Sequence, residues 1–75
     1  ELTVTQRNIL NALEDGTLSR KDIFAQIGIT SDTRAFKRHI GPLMSRGFIK
    51  MTVPDKPNSK LQKYRLTDSG RAAIR

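Results

Sequence analysis

The hydrophobic period of this 75-residue chain changes at Gly47, and that change restricts the folds open to it. Over 31–47 the apolar residues fall at Phe36, Ile40, Leu43 and Met44, the i, i+4, i+7, i+8 spacing of one helix face. Beyond Gly47, Ile49, Met51 and Val53 alternate with Lys50 and Thr52, the two-residue repeat of a half-buried strand. A second alternation follows, with Gln62, Tyr64 and Leu66 on one side and Leu61, Lys63 and Arg65 on the other. The polar segment between them, 54–60, contains Pro54, Pro57, Asn58 and Ser59 and reads as a loop. A helix therefore runs straight into a hairpin, whose inner face of Ile49, Met51, Tyr64 and Leu66 packs back on helices.

The helix itself is expected over about 32–46. Ser31 or Asp32 caps its start, and Gly47 is a left-handed stop. At about 100° per residue, the side opposite the apolar stripe carries Arg34, Arg38 and Ser45, with Gly41 beside them. Pro42 removes one backbone bond and crowds the carbonyl of Arg38, a cost of about 3 kcal/mol in an isolated helix. The stripe nevertheless continues through Leu43 and Met44. The pattern predicts one helix, kinked at Gly41-Pro42, with its first half as the reading end.

Upstream, Thr3-Val4-Thr5-Gln6 fits a capping box, Ile9, Leu10 and Leu13 recur at helical spacing, and Asp15-Gly16 ends the helix. Thr17-Leu18 is a short extended link, long enough for one rung of a sheet. Ser19 caps a second helix with Ile23, Phe24 and Ile27 facing inward, closed by Gly28. A turn of about four residues then leads to the basic helix, the helix-turn-helix pattern. Thr67 caps a last helical turn through Ala72, Ala73 and Ile74. The expected fold is α+β: a winged helix-turn-helix with three helices, a C-terminal two-stranded wing, an optional short third strand, and a short final helix.

Composition narrows the function. Hydrophobic residues at 36% suffice for one small core, and there is no apolar run long enough for a membrane span or a signal peptide. Without cysteine there are no disulfides and no thiolate metal sites, which fits the cytoplasm. His39 is the sole histidine and borders the apolar stripe, while the seven carboxylates are scattered over separate elements. No pair has metal-ligand or acid–base spacing and there is no glycine-rich phosphate loop, so the expectation is a non-enzymatic domain without a cofactor. Residues 1–75, starting at Glu1, are read as a single domain excised from the C-terminal part of a larger protein.

Charge is distributed unevenly. Through Asp32 there are three bases against five acids; from Thr33 onward there are eleven bases against Asp55 and Asp68. That asymmetry is the footprint of a polyanion partner.

Two phrases carry a resemblance. The run from Ile40 through Gly41, Pro42 and Leu43 to Phe48-Ile49 resembles the helix-into-strand passage of bacterial winged-helix regulators, and Tyr64-Arg65-Leu66-Thr67-Asp68-Ser69-Gly70 resembles their strand-into-final-helix passage. The longer run 51–67 is similar to the C-terminal winged-helix domain of bacterial Fic-like proteins and of the RecG-related, AlbA-type ATP-binding transcriptional regulators. The resemblance implies a bacterial, cytoplasmic protein whose enzymatic part lies outside this chain.

The leading expectation is the DNA-binding domain of a bacterial transcriptional regulator. Arg34 and Arg38 would read bases or grip phosphate in the major groove, with Thr33, Lys37 and Ser45 flanking them. Lys56, Asn58, Ser59 and Lys60 in the wing loop would meet backbone or minor groove, and Lys50, Lys63 and Arg65 extend the positive surface. Duplex DNA is the expected partner, with no membrane association and a homodimer formed through the rest of the protein as an option. The alternative is a protein-interaction or oligomerisation module, whose signature would be Val4, Ile29 or Leu61 left uncovered.

Overall fold

The computed structural model describes residues 2–75 and bears out the expected α+β architecture. Helix α1 is Val4–Ala12, and Thr3 and Gln6 form the full capping box, with reciprocal bonds of 3.0 Å between each backbone N–H and the other's side chain. Helix α2 is Arg20–Ile27, capped by Ser19. The third helix runs through three consecutive segments: α3 (Thr33–Ala35), a π-helical turn (Phe36–Ile40) and α4 (Gly41–Ser45). Of the two candidate caps, Asp32 is the one used, accepting from the Ala35 N–H at 2.7 Å. Two of the three expected glycine stops, Gly28 and Gly47, have a φ of 76°, whereas α1 ends earlier than expected, at Ala12 with Leu13 as its C-cap rather than at Asp15-Gly16.

Pro42 does not break the third helix. The widened turn before it places the Gly41 N–H on the Phe36 carbonyl, an i to i−5 bond, and a new α-helical segment starts at Gly41. Pro42 thus lies in the first turn of α4, where its missing N–H costs least. The expected disturbance is present, but it is a π-turn that begins six residues before the proline. Gly41, expected beside the outer ridge, is half-buried, while Leu43 and Ser45 keep the inward and outward places the wheel gave them.

Strands β1 (Ile49–Met51) and β2 (Tyr64–Leu66) pair antiparallel, with Ile49 opposite Leu66, Lys50 opposite Arg65 and Met51 opposite Tyr64. Leu18 adds the anticipated third rung through an antiparallel bridge to Tyr64. The core is made by Ile9, Leu10 and Leu13 of the first helical region, Ile23 and Phe24 of α2, Ile40 and Leu43 of the third helix, and Ile49, Tyr64 and Leu66 of the sheet. Of the predicted inner face of the hairpin, Met51 is only half-buried.

The last helix, α5 (Asp68–Ala73), is tied to the end of the third helix by Thr67. Its hydroxyl donates to the Gly47 carbonyl at 2.6 Å and accepts from the Gly70 N–H at 3.0 Å, while its own N–H bonds the Phe48 carbonyl at 3.0 Å. Helices and sheet therefore share one set of anchors, which fixes the wing relative to the third helix.

Candidate nucleic-acid interface

The third helix presents its cations outward. Thr33, Arg34, Lys37, Arg38 and Ser45 are all exposed, and no carboxylate among the described residues forms an ion pair with Arg34, Lys37 or Arg38. The acid closest to them in sequence, Asp32, already has its carboxylate committed to the helix cap. His39 is half-buried at the stripe's edge, as expected. Arg34 lies in the α-helical start and Arg38 in the π-turn, so the ridge spans the change in helical pitch.

The wing differs from a simple seven-residue loop. Regular pairing ends at Met51 and resumes at Tyr64, with one further bond from the Thr52 N–H to the Lys63 carbonyl at 2.8 Å. Beyond that rung the chain forms successive turns, closed by Lys56 N–H to the Val53 carbonyl at 3.1 Å, Ser59 N–H to Lys56 at 3.0 Å and Gln62 N–H to Ser59 at 3.0 Å. The Gln62 side chain holds them together. Its Oε1 accepts from the Val53 N–H at 3.0 Å, and its Nε2 donates to the carbonyls of Val53 and of Lys56, the latter at 3.0 Å. An amide side chain thus supplies the rung that a strand backbone would have made, next to the prolines that interrupt the ladder.

Gln62 is 6% exposed, and sequence reasoning missed its role. The signal was legible: a polar residue at i, i+2 spacing with Tyr64 and Leu66 sits on the buried face, where it must find partners. Replacing it with alanine is expected to cost about 1–2 kcal/mol. Hydrogen exchange at the Val53 amide should then accelerate while the α1 and α2 core amides stay protected. Unchanged protection at Val53 would show that the clamp is not what orders the wing.

On this clamped wing Lys56, Asn58 and Lys60 are exposed and Ser59 is half-buried. The outer sheet face continues the positive surface through Lys50, Lys63 and Arg65, all exposed. Lys50 and Arg65 stand directly opposite each other across the strands, a like-charge pairing that opposes folding. Between the third helix and the wing, Met44, Ile49, Met51 and Pro54 line a shallow apolar groove edged by Lys50 and Arg65.

Two cations are engaged elsewhere. The Arg20 guanidinium lies 5.0 Å from the Phe36 ring centroid, and Arg46 lies 4.8 Å from that of Phe48. The Phe36 ring in turn meets Tyr64 at 6.1 Å. Burial raises the Tyr64 hydroxyl above its ordinary pKa of 10.0, with Arg20 opposing in part, so it remains a neutral donor at physiological pH. Among the described residues no group of three or more His, Cys, Asp or Glu can hold a metal, and no helix is long and apolar enough to cross a membrane.

Comparison with known proteins agrees with this architecture. A Fic family protein from Desulfovibrio desulfuricans G20 superposes with a TM-score of 0.76 at 31% identity, over 91% of this chain and 21% of its own. The adhesin competence repressor AdcR from Streptococcus pyogenes gives 0.80 at 23% identity, over 99% of this chain and 53% of its own. RosR from H. salinarum gives 0.69 at 21% identity, over 99% of this chain and 68% of its own. No curated protein matches significantly. The chain thus spans about a fifth of the Fic family protein and about half of AdcR. The family model for the C-terminal domain of Fic-like proteins (filamentation induced by cAMP) matches residues 5–67, from the first helix through both strands to the cap of the last, and the chain belongs to that family of winged-helix domains.

Proposed function

We propose that this winged helix is the DNA-binding module of a longer bacterial transcriptional regulator. The first half of the third helix enters the major groove, and the wing loop lies on adjacent backbone or minor groove. One observation carries this reading: Arg34, Lys37 and Arg38 project from a capped helix with no carboxylate among the described residues engaging them, beside a wing and outer sheet face of the same charge. Such a surface works against folding by self-repulsion and is relieved by phosphates. Two of the neighbours, AdcR by its name a repressor, share the fold, which supports the reading by analogy. In this proposal Thr33 and Ser45 contact phosphates beside Arg34 and Arg38, and Lys56, Asn58, Ser59 and Lys60 form the wing contact. The domain serves as an appendage of the larger protein, which supplies any dimer contact.

Titration with a mixed-sequence duplex at two salt concentrations tests this. About four phosphate contacts would weaken binding on the order of a hundredfold between about 50 and 200 mM salt. No binding at the lower salt would overturn the proposal. The second reading, a protein-docking module, is favoured by Val4 and Leu61, each 78% exposed, although Ile29 is half-buried. Apolar side chains exposed singly are ordinary on soluble domains, so this reading ranks below the first.

A further inference from the structure

A groove of about 290 Å³ lies between the start of α2 and the wing, and the basic ridge of the third helix does not line it. Ser19, Arg20 and Lys21 form one wall, Asn58, Ser59 and Lys60 the other, and Tyr64 is among its lining residues. The Leu18–Tyr64 bridge brings these walls together, because it joins the residue before the α2 cap to the strand leaving the wing.

Tyr64 is the unusual member. It is 4% exposed, yet its hydroxyl has no hydrogen-bond partner among the described residues. It is not sealed in either, since among the described residues no fully enclosed side-chain oxygen or nitrogen lacks a partner. A buried phenol packed against Phe36, its hydroxyl not fully enclosed and Tyr64 lining a groove flanked by cations, is a donor awaiting an acceptor. The acceptor fitting the surroundings is an anion. Arg20 is held in place over the Phe36 ring, Lys21 and Lys60 flank the opening, and the first turn of α2 adds the positive end of its dipole. The one acid of that turn, Asp22, is exposed and does not line the groove.

We propose that this groove seats a single phosphate group, with the Tyr64 hydroxyl as the donor at its base and Arg20, Lys21 and Lys60 supplying charge. The phosphate is either a backbone diester of bound duplex or that of a free phosphate ester. The seat deepens the nucleic-acid reading and rests on it only for the diester source.

The test is a titration with inorganic phosphate, followed through the backbone amide resonances of Arg20, Lys21 and Asn58. Tyr64→Phe keeps the ring and removes only the hydroxyl, and Lys60→Gln changes an exposed wing side chain as a second, fold-neutral variant. Saturable shifts confined to the groove, with affinity lowered at least fivefold in both variants, are expected. Non-saturating shifts spread over the basic surface, or a Tyr64→Phe curve identical to wild type, would overturn the proposal.

Two further arms identify the source. Displacement of the seated phosphate by duplex assigns the diester, whereas duplex that binds without displacing it, together with competition by a nucleoside monophosphate, assigns a free ester. A chain that seats phosphate through Tyr64 but binds no duplex keeps the seat and loses the DNA reading.

Discussion

Replacing Gly70 with alanine is expected to destabilise the domain by about 2 kcal/mol or more, although alanine is the better helix former by about 1 kcal/mol. Gly70 is buried in α5, and a Cβ there would run into the Phe48 carbonyl oxygen and come within 2.8 Å of Leu66 Cδ1. The obstacle is backbone, so no rotamer change relieves it. Nor can the helix lift away cheaply, because Thr67 fixes its start to the carbonyls of Gly47 and Phe48. Sterics therefore win over propensity, and the sign of the effect separates the two.

For a domain of this size the loss corresponds to about 10 °C in melting temperature. Ser69→Ala, at an exposed neighbour, is the control and should stay within about 0.5 kcal/mol of wild type. A Gly70→Ala protein as stable as wild type would mean that α5 is not seated on Phe48.

That close approach marks where sequence reading stops. The caps at Thr3, Ser19, Asp32 and Thr67, the stops at Gly28 and Gly47, and the alternation around Tyr64 were legible because each is local. Even the third rung at Leu18 could be anticipated, since an extended dipeptide between two helices needs a pairing partner. The contact of Gly70 with Phe48 is not local and leaves no periodic trace. The π-turn was half legible: Pro42 announced a disturbance, but which preceding carbonyls would absorb it depends on how Phe36 and Ile40 pack. The same holds for the wing, where Pro54 and Pro57 announced a loop and the Gln62 clamp set its form.

The candidate interface divides in the same way. Arg34 and Arg38 were assigned to an outer ridge from spacing alone, and they are exposed there. Arg20 and Tyr64 were not singled out for any contact with a partner. In the sequence Arg20 is one base near a helix start and Tyr64 belongs to the inner face of the hairpin. Only the sheet bridge and the Phe36 ring bring them to one groove.

Substituting both Arg34 and Arg38 with alanine has the largest expected effect on binding. A guanidinium that forks onto a base edge contributes about 1–3 kcal/mol, so the pair together accounts for about a hundredfold or more in affinity. Stability should change little, because both side chains are exposed and neither is engaged by a carboxylate among the described residues. Removal of two like charges from one ridge even favours folding slightly. A loss of affinity without a loss of stability would separate recognition from structure. Base reading and phosphate gripping also part company here, since loss of a base contact flattens sequence preference whereas loss of a phosphate contact lowers the salt slope by about one per site.

The most direct measurement is the affinity of wild type and Arg34→Ala/Arg38→Ala for one duplex, each at two salt concentrations. Salt-sensitive binding by the wild type, reduced about a hundredfold in a double variant that melts at the same temperature, is the predicted result. Wild type that fails to bind at low salt, or a double variant that binds equally well, would contradict the assignment of this helix to DNA.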